Sequence, residues 1–208
     1  MNKTRSALTI TAVVAAAVAS GAALPASATV RPSDASKHVI TVVVNDRAGD
    51  TKLPRISSSD QGKVSQSQRK GTDVRNIKYR VDRTAQTLTV VYKVRKTVLD
   101  PQAAQEFTTD LISPTTSEPL AEFSSMAGTG TVAVFGSGGS SAAQVTCDAA
   151  TAQTLTRTNR QVVTVPFSCL SGVTEAQLGS VVGLAADSTL AVDRTKATRS
   201  LPFTPYAG

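Results

Sequence analysis

From Ile77 to Val94 the chain alternates between apolar and polar residues, and this pattern restricts its fold more than any other feature. Ile77, Tyr79 and Val81 are interleaved with Lys78 and Arg80. Asp82 to Gln86 offer a turn, after which Leu88, Val90, Tyr92 and Val94 are interleaved with Thr89, Val91, Lys93 and Arg95. Successive side chains of a strand point to opposite faces, so a period of two over both arms predicts a hairpin with one apolar and one cationic face. The rest of the chain repeats the theme in short apolar runs broken by Gly, Pro, Asn or Asp, with Val, Thr, Ser and Ala abundant and no Trp. The expected class is all-β: a single antiparallel β-sandwich, either Ig-like or of the jelly-roll kind found in carbohydrate-binding modules.

His38 to Val44 is apolar at nearly every position and is expected to be a fully buried strand. Residues 45–72 are rich in Ser, Gln, Lys and Gly and read as a long, flexible polar loop. Further strands are expected over Glu106 to Ile112, Leu120 to Ser124, Gly130 to Phe135, Ala142 to Cys147, Thr154 to Thr156, Gln161 to Phe167 and Gly179 to Ala186. Gly136 to Ser141 forms a flexible turn between two of them. Thr174 to Leu178 is the one place that suggests a helical turn.

The amino terminus has the layout of an export signal. Lys3 and Arg5 precede a small-apolar stretch from Ala7 to Leu24, and Ala26-Ser27-Ala28 supplies a cleavage site. A signal peptide over residues 1–28 leaves a mature chain of residues 29–208, long enough for one domain and without a second membrane-spanning run. The expected location is secreted, with cell-surface association allowed. Cys147 and Cys169 are the two cysteines, and in an exported protein such a pair is read as a disulfide.

The formal charge is +7, with two of the cations in the leader and the rest unevenly placed. Residues 31–99 carry fifteen Lys or Arg against six acids, whereas residues 100–150 carry six acids and no Lys or Arg. Lys78, Arg80, Lys93 and Arg95 should share the outer face of the hairpin as an anion-binding patch, for which an anionic cell-wall polymer is the accessible partner. Another extracellular protein is the second option. Sequence-specific nucleic-acid binding is not expected, because Tyr79 and Tyr92 fall on the apolar face and leave no stacking aromatics among the cations.

Three stretches resemble small exported proteins of Gram-positive, high-GC (actinobacterial) bacteria. They are Asn45-Asp46-Arg47-Ala48-Gly49-Asp50, Asp73-Val74, and Val163 to Leu170 with its Cys169 paired to Cys147. The resemblance implies a single-disulfide sandwich similar in shape to carbohydrate-binding domains, and it implies no activity. This chain departs from the group in a polar insertion, Thr51 to Thr72.

Catalytic constellations are sparse. His38 is the only histidine, and no G-x-S-x-G elbow accompanies it. A carboxylate pair for glycoside cleavage would have to come from Glu106, Asp110, Glu118 and Glu122, whose separation the sequence does not fix. No catalytic residue is assigned. Oxygen ligands for Ca²⁺ could come from Asn45, Asp46, Asp50 and Asp73, although Asx turns around Gly49 explain Asp46 and Asp50 equally well. The leading expectation is a secreted, non-enzymatic binding or structural sandwich. A Ca²⁺-stabilised carbohydrate- or wall-binding module is the alternative, and a secreted hydrolase with an unrecognised site the further one.

Overall fold

A computed structural model describes residues 31–47, 49–50, 66–100, 103–170, 172–186 and 189–206. The predicted leader, the start of the mature chain and residues 51–65 of the polar stretch, including Lys63, lie outside the described residues.

The described chain forms a short helix α1 (Pro32–Ala35), strand β1 (Val39–Asn45), helix α2 (Gln66–Thr72), and then strands β2 (Val74–Asp82), β3 (Thr87–Val94), β4 (Ala103–Ile112), β5 (Pro119–Met126) and β6 (Val132–Phe135). It continues through β7 (Gln144–Val145), β8 (Thr151–Leu155), β9 (Arg160–Pro166), β10 (Glu175–Ala186), β11 (Thr189–Arg194) and β12 (Leu201–Pro202). Two antiparallel sheets pack as a sandwich. One has the order β1-β2-β3-β9-β8, the other β11-β10-β4-β5-β6-β7 with β12 added alongside β10. None of the described helices is long and apolar enough to cross a membrane.

The hairpin forms in the expected register, with Ile77 opposite Tyr92, Tyr79 opposite Val90 and Val81 opposite Leu88. All six are fully buried, and β3 alternates between buried and half-buried positions along its whole length. Asp82 shapes the turn by accepting the Ala85 N–H at 2.9 Å, while Gln86 takes a left-handed φ of 52° to bring the chain back. Facing the hairpin across the core are Phe107, Leu111, Phe123, Leu178 and Val182 from the second sheet.

Polar links also cross the interior. Thr109 on β4 and Ser180 on β10 hydrogen-bond each other at 2.6 Å. The Tyr92 hydroxyl meets Thr109 at 2.5 Å and the Tyr79 hydroxyl meets Ser180 at 2.8 Å. Burial pushes the Tyr79 hydroxyl up to about 12 and the Tyr92 hydroxyl higher still, so both stay protonated.

The disulfide is present. Cys147 follows β7 in the second sheet, Cys169 lies in a 3₁₀ turn (Phe167–Cys169) after β9 in the first, and their Cα atoms are 5.7 Å apart. The bond therefore ties one sheet to the other.

Three expectations are corrected. His38 to Val44 is not buried on both faces: β1 is the edge strand of its sheet, with Ile40 in the core but Val43 51% exposed. Its apolar outer face reflects β-propensity rather than burial. Residues 66–72 are not loop but α2, docked so closely that a Cβ on Gly71 would lie 2.9 Å from Leu184, while the Gln105 carboxamide donates to the Gly71 carbonyl. Thr174 to Leu178 opens β10 instead of a helical turn, because Ala176 and Leu178 point into the core and the backbone pairs with both β4 and β12. The Gly136–Ser141 segment is the expected turn between β6 and β7 and includes a 3₁₀ segment, Gly139–Ser141, with Gly139 buried. Two strands, β11 and β12, were not anticipated at all.

Candidate functional sites

On the outer face of the five-stranded sheet, alternation places Lys78 and Arg80 of β2 beside Lys93 of β3, with Arg95 just beyond. The acids that could have neutralised them are elsewhere: Glu106, Asp110 and Glu122 sit on β4 and β5 of the opposite sheet. Two of the cations find partners closer by. Arg80 holds Asp82 at 2.7 Å, and Arg95 lies 3.6 Å from Asp73, which Arg75 also approaches at 3.5 Å. The Ala85 N–H, and after it the Arg80 charge, hold the Asp82 carboxyl below its usual range.

Lys78 and Lys93 make no ion pair among the described residues. The register adds Arg160 of β9 directly opposite Lys93, also without an ion pair among the described residues. The neighbours of the other two cations within their rows are neutral: Thr41, Thr89 and Thr164 share the row of Arg80, and Val43, Val91 and Val162 share the row of Lys78, which lies between the Arg80 row and the Lys93–Arg160 row. Sequence reasoning missed Arg160 because a strand's parity does not say which strand lies beside it.

A second cluster forms where the chain leaves β1. Asp46, Asp50 and Asp193 each bring one carboxylate oxygen to within 4.8 Å of the other two. Asp193 belongs to β11 and is 3% exposed. Its Oδ2 accepts the Val74 N–H at 2.9 Å, which links the second sheet to the start of β2 in the first. Burial, reinforced by Asp46 and Asp50 and opposed by the Val74 N–H, raises its carboxyl to about 7. Burial, then the Asp50 charge, also raises Asp46, whose Oδ2 is buried with no hydrogen-bond partner among the described residues. Of the four residues expected to ligate Ca²⁺, the structure gathers Asp46 and Asp50. Asn45 is the exposed last residue of β1, and Asp73 accepts the Gly49 N–H at 3.3 Å while facing Arg75 and Arg95. Three crowded carboxylates drawn from two segments suit a hard cation, which prefers oxygen ligands.

The carboxylates considered for glycoside chemistry are divided. Asp110 and Glu122 stand directly opposite each other on β4 and β5, facing away from the core, with Glu106 four residues before Asp110 on the same face. Glu118 is in the exposed turn between those strands. Glu122 accepts the Ser140 N–H at 3.0 Å, and a Cβ on Gly139 would come within 2.8 Å of its Oε2. This is why glycine, at φ 62°, occupies that position. His38 is far from any such pair in role. Its ring stacks on Tyr206 with centroids 3.8 Å apart, and its Nδ1 lies 3.3 Å from the Thr84 hydroxyl.

No protein-family model, curated protein or solved structure matches the chain.

Proposed function

We propose that this is an exported, non-enzymatic binding protein that uses the outer face of its five-stranded sheet to hold an anionic polymer at the cell surface. The observation that carries the reading is the trio Lys78, Lys93 and Arg160, set on one sheet face and without ion pairs among the described residues. Like charges directly across a strand pair repel, so Lys93 opposite Arg160 destabilises the free protein, and a bound polyanion relieves that repulsion. No acid stands in the rows of Lys78 and Arg80, whose other members are valines and threonines, so the face is open to an extended chain. The disulfide agrees with life in an oxidising compartment.

Cosedimentation with purified cell walls tests the reading. The protein should pellet with walls at low salt and be released at high salt, and the triple substitution K78Q/K93Q/R160Q should abolish pelleting. Equal pelleting of both proteins would end the proposal.

A second reading, Ca²⁺ stabilisation of the same module, is favoured by Asp46, Asp50 and Asp193, whose mutual repulsion a divalent cation would remove. Added Ca²⁺ at about 100 times its dissociation constant should stabilise the fold by about 2.7 kcal/mol, which chelator reverses. A melting temperature indifferent to both would remove this reading and leave the first intact.

A further inference from the structure

Strand β1 is the outermost strand of the cationic sheet, and its free side is unprotected. The Arg83 N–H donates to the His38 carbonyl at 2.8 Å and the Asp46 N–H to the Arg75 carbonyl at 3.2 Å, at the two ends of an unbroken register with β2. Bonded positions alternate in an antiparallel pair, so the even-numbered residues bond β2, while the N–H and C=O groups of Val39, Thr41, Val43 and Asn45 point away from it. These four residues are exposed, Val43 at 51%. Val42 and Val44 pack against the core from the same strand but stay only half-buried at the open margin of the sandwich.

An edge of this kind is a template for another strand, and proteins ordinarily blunt it with charge, proline, a bulge, shortness or a covering loop. The other edges among the described strands show such devices. On β8 the Ala152 N–H donates to the Gly130 carbonyl at 3.2 Å and Thr154 accepts the Gly128 N–H at 2.8 Å, so the turn after β5 covers that side. Strands β7 and β12 are two residues long, and β11 ends on Asp193 and Arg194. Val39–Asn45 has none of these: it is seven residues long, uncharged, free of proline and without a register shift.

We propose that β1 pairs antiparallel with β1 of a second copy about a two-fold axis through Val42, joining the two five-stranded sheets edge to edge. The register that matches the whole strand sets Thr41 opposite the partner's Val43 and Val39 opposite the partner's Asn45, and each of these odd-numbered pairs exchanges both of its N–H···O bonds. On the core side Val42 meets the partner's Val42 and Val44 meets the partner's Ile40, which covers the half-buried valines with apolar surface. Charge at the ends of β1 favours a copy of the same chain. At the start of the strand Asp34 is shared by Lys37 at 3.3 Å and Arg199 at 2.6 Å, one cation in excess, whereas at its end Asp46, Asp50 and Asp193 converge without an ion pair among the described residues. Antiparallel pairing brings each basic end to the partner's acidic one, with His38 opposite the partner's Asp46. Lys37 then lies against the partner's Arg47, whose charge the three carboxylates exceed. The axis is normal to the sheet, so the outer faces of both copies stay on one side and the two Lys78, Lys93 and Arg160 groups form one surface. This last consequence, unlike the pairing itself, rests on the polymer-binding reading.

Sedimentation equilibrium of the purified protein at concentrations up to about 1 mM tests the pairing, and should show a reversible monomer–dimer equilibrium that ends at twice the monomer mass. V43P removes an N–H that only a second copy uses, so it should fold like the parent and raise the dissociation constant at least tenfold. V43K gives the same test by charging the edge should V43P fail to fold. V42C sits in a non-bonded pair with its Cα about 4.5 Å from its counterpart, within disulfide reach. Under mild oxidation it should cross-link to itself at least tenfold faster than V39C, whose counterpart lies at the opposite end of the paired strands. K78Q/K93Q/R160Q should dimerise no more weakly than the parent, which separates the pairing from the proposed polymer-binding face. The proposal is overturned by a parent that stays monomeric, by masses that climb past two copies, by a folded V43P or V43K variant less than tenfold weaker than the parent, by V42C cross-linking no faster than V39C, or by loss of the dimer in K78Q/K93Q/R160Q.

Discussion

Replacing Thr109 with valine keeps the side chain's volume and removes one oxygen from the centre of the sandwich. That oxygen bonds Tyr92 at 2.5 Å and Ser180 at 2.6 Å, and Ser180 in turn bonds Tyr79. Both tyrosines are 0% exposed, so water does not reach a hydroxyl that has lost its partner. Each lost hydrogen bond is worth about 1 kcal/mol net, and a buried hydroxyl left poorly paired adds about 1 kcal/mol or more. T109V should therefore cost about 2–3 kcal/mol, a fall in melting temperature of about 4–12 °C for a domain of this size. Y92F removes a donor but leaves Thr109 its bond to Ser180, and should cost only about 1 kcal/mol. Urea denaturation of the two variants, with parallel m-values, measures the difference. A T109V loss below about 0.5 kcal/mol, or a Y92F loss equal to it, would show that Thr109 is not the hub of this network.

Other consequences are as direct. Removing the Cys147–Cys169 bond with paired serines opens a loop with a sequence separation of 22 and should cost about 3 kcal/mol in equilibrium unfolding. Arg83 is buried and donates to the carbonyls of Ala35, Lys37, Thr204 and Pro205. R83Q should therefore speed hydrogen exchange selectively at residues 31–38 and 203–206, where the two ends of the described chain meet. Asp110 binds its proton more tightly folded than unfolded, so its contribution to stability is full below the ordinary aspartate pKa and is lost as pH rises through about 7. The D110N variant should show a flatter urea midpoint between pH 5 and 8 than the parent. G139A should cost about 1–3 kcal/mol, because alanine must adopt a left-handed φ and push aside the Glu122 carboxylate 2.8 Å from its Cβ.

What the sequence made legible was local. The hairpin from Ile77 to Val94 followed from parity alone, since only one register buries Tyr79, Val81, Leu88, Val90 and Tyr92 together. The disulfide followed from there being two cysteines in a chain expected to be exported. What escaped was whatever depends on neighbours across the sheet. Val39 to Val44 reads the same whether a strand is central or at an edge, and only the pairing reveals that β1 has β2 on one side. Asp193 escaped because an acid in a short Thr-Leu-Ala-Val-Asp-Arg run looks like a loop. Its inward position is set by Val182 on β10, not by anything local. Asp73 is shared between the Gly49 N–H of the acidic loop and the guanidinium groups of Arg75 and Arg95, the second of which alternation alone had pointed at solvent.

The account rests most on the cationic face. The affinity of the protein for inorganic polyphosphate, measured across a series of NaCl concentrations, tests it most directly. Polyelectrolyte binding through three cations predicts that log K falls with log salt with a slope of about −2 to −3, and that K78Q/K93Q/R160Q brings the slope close to zero. Binding that ignores salt, or a slope identical in the two proteins, would contradict it.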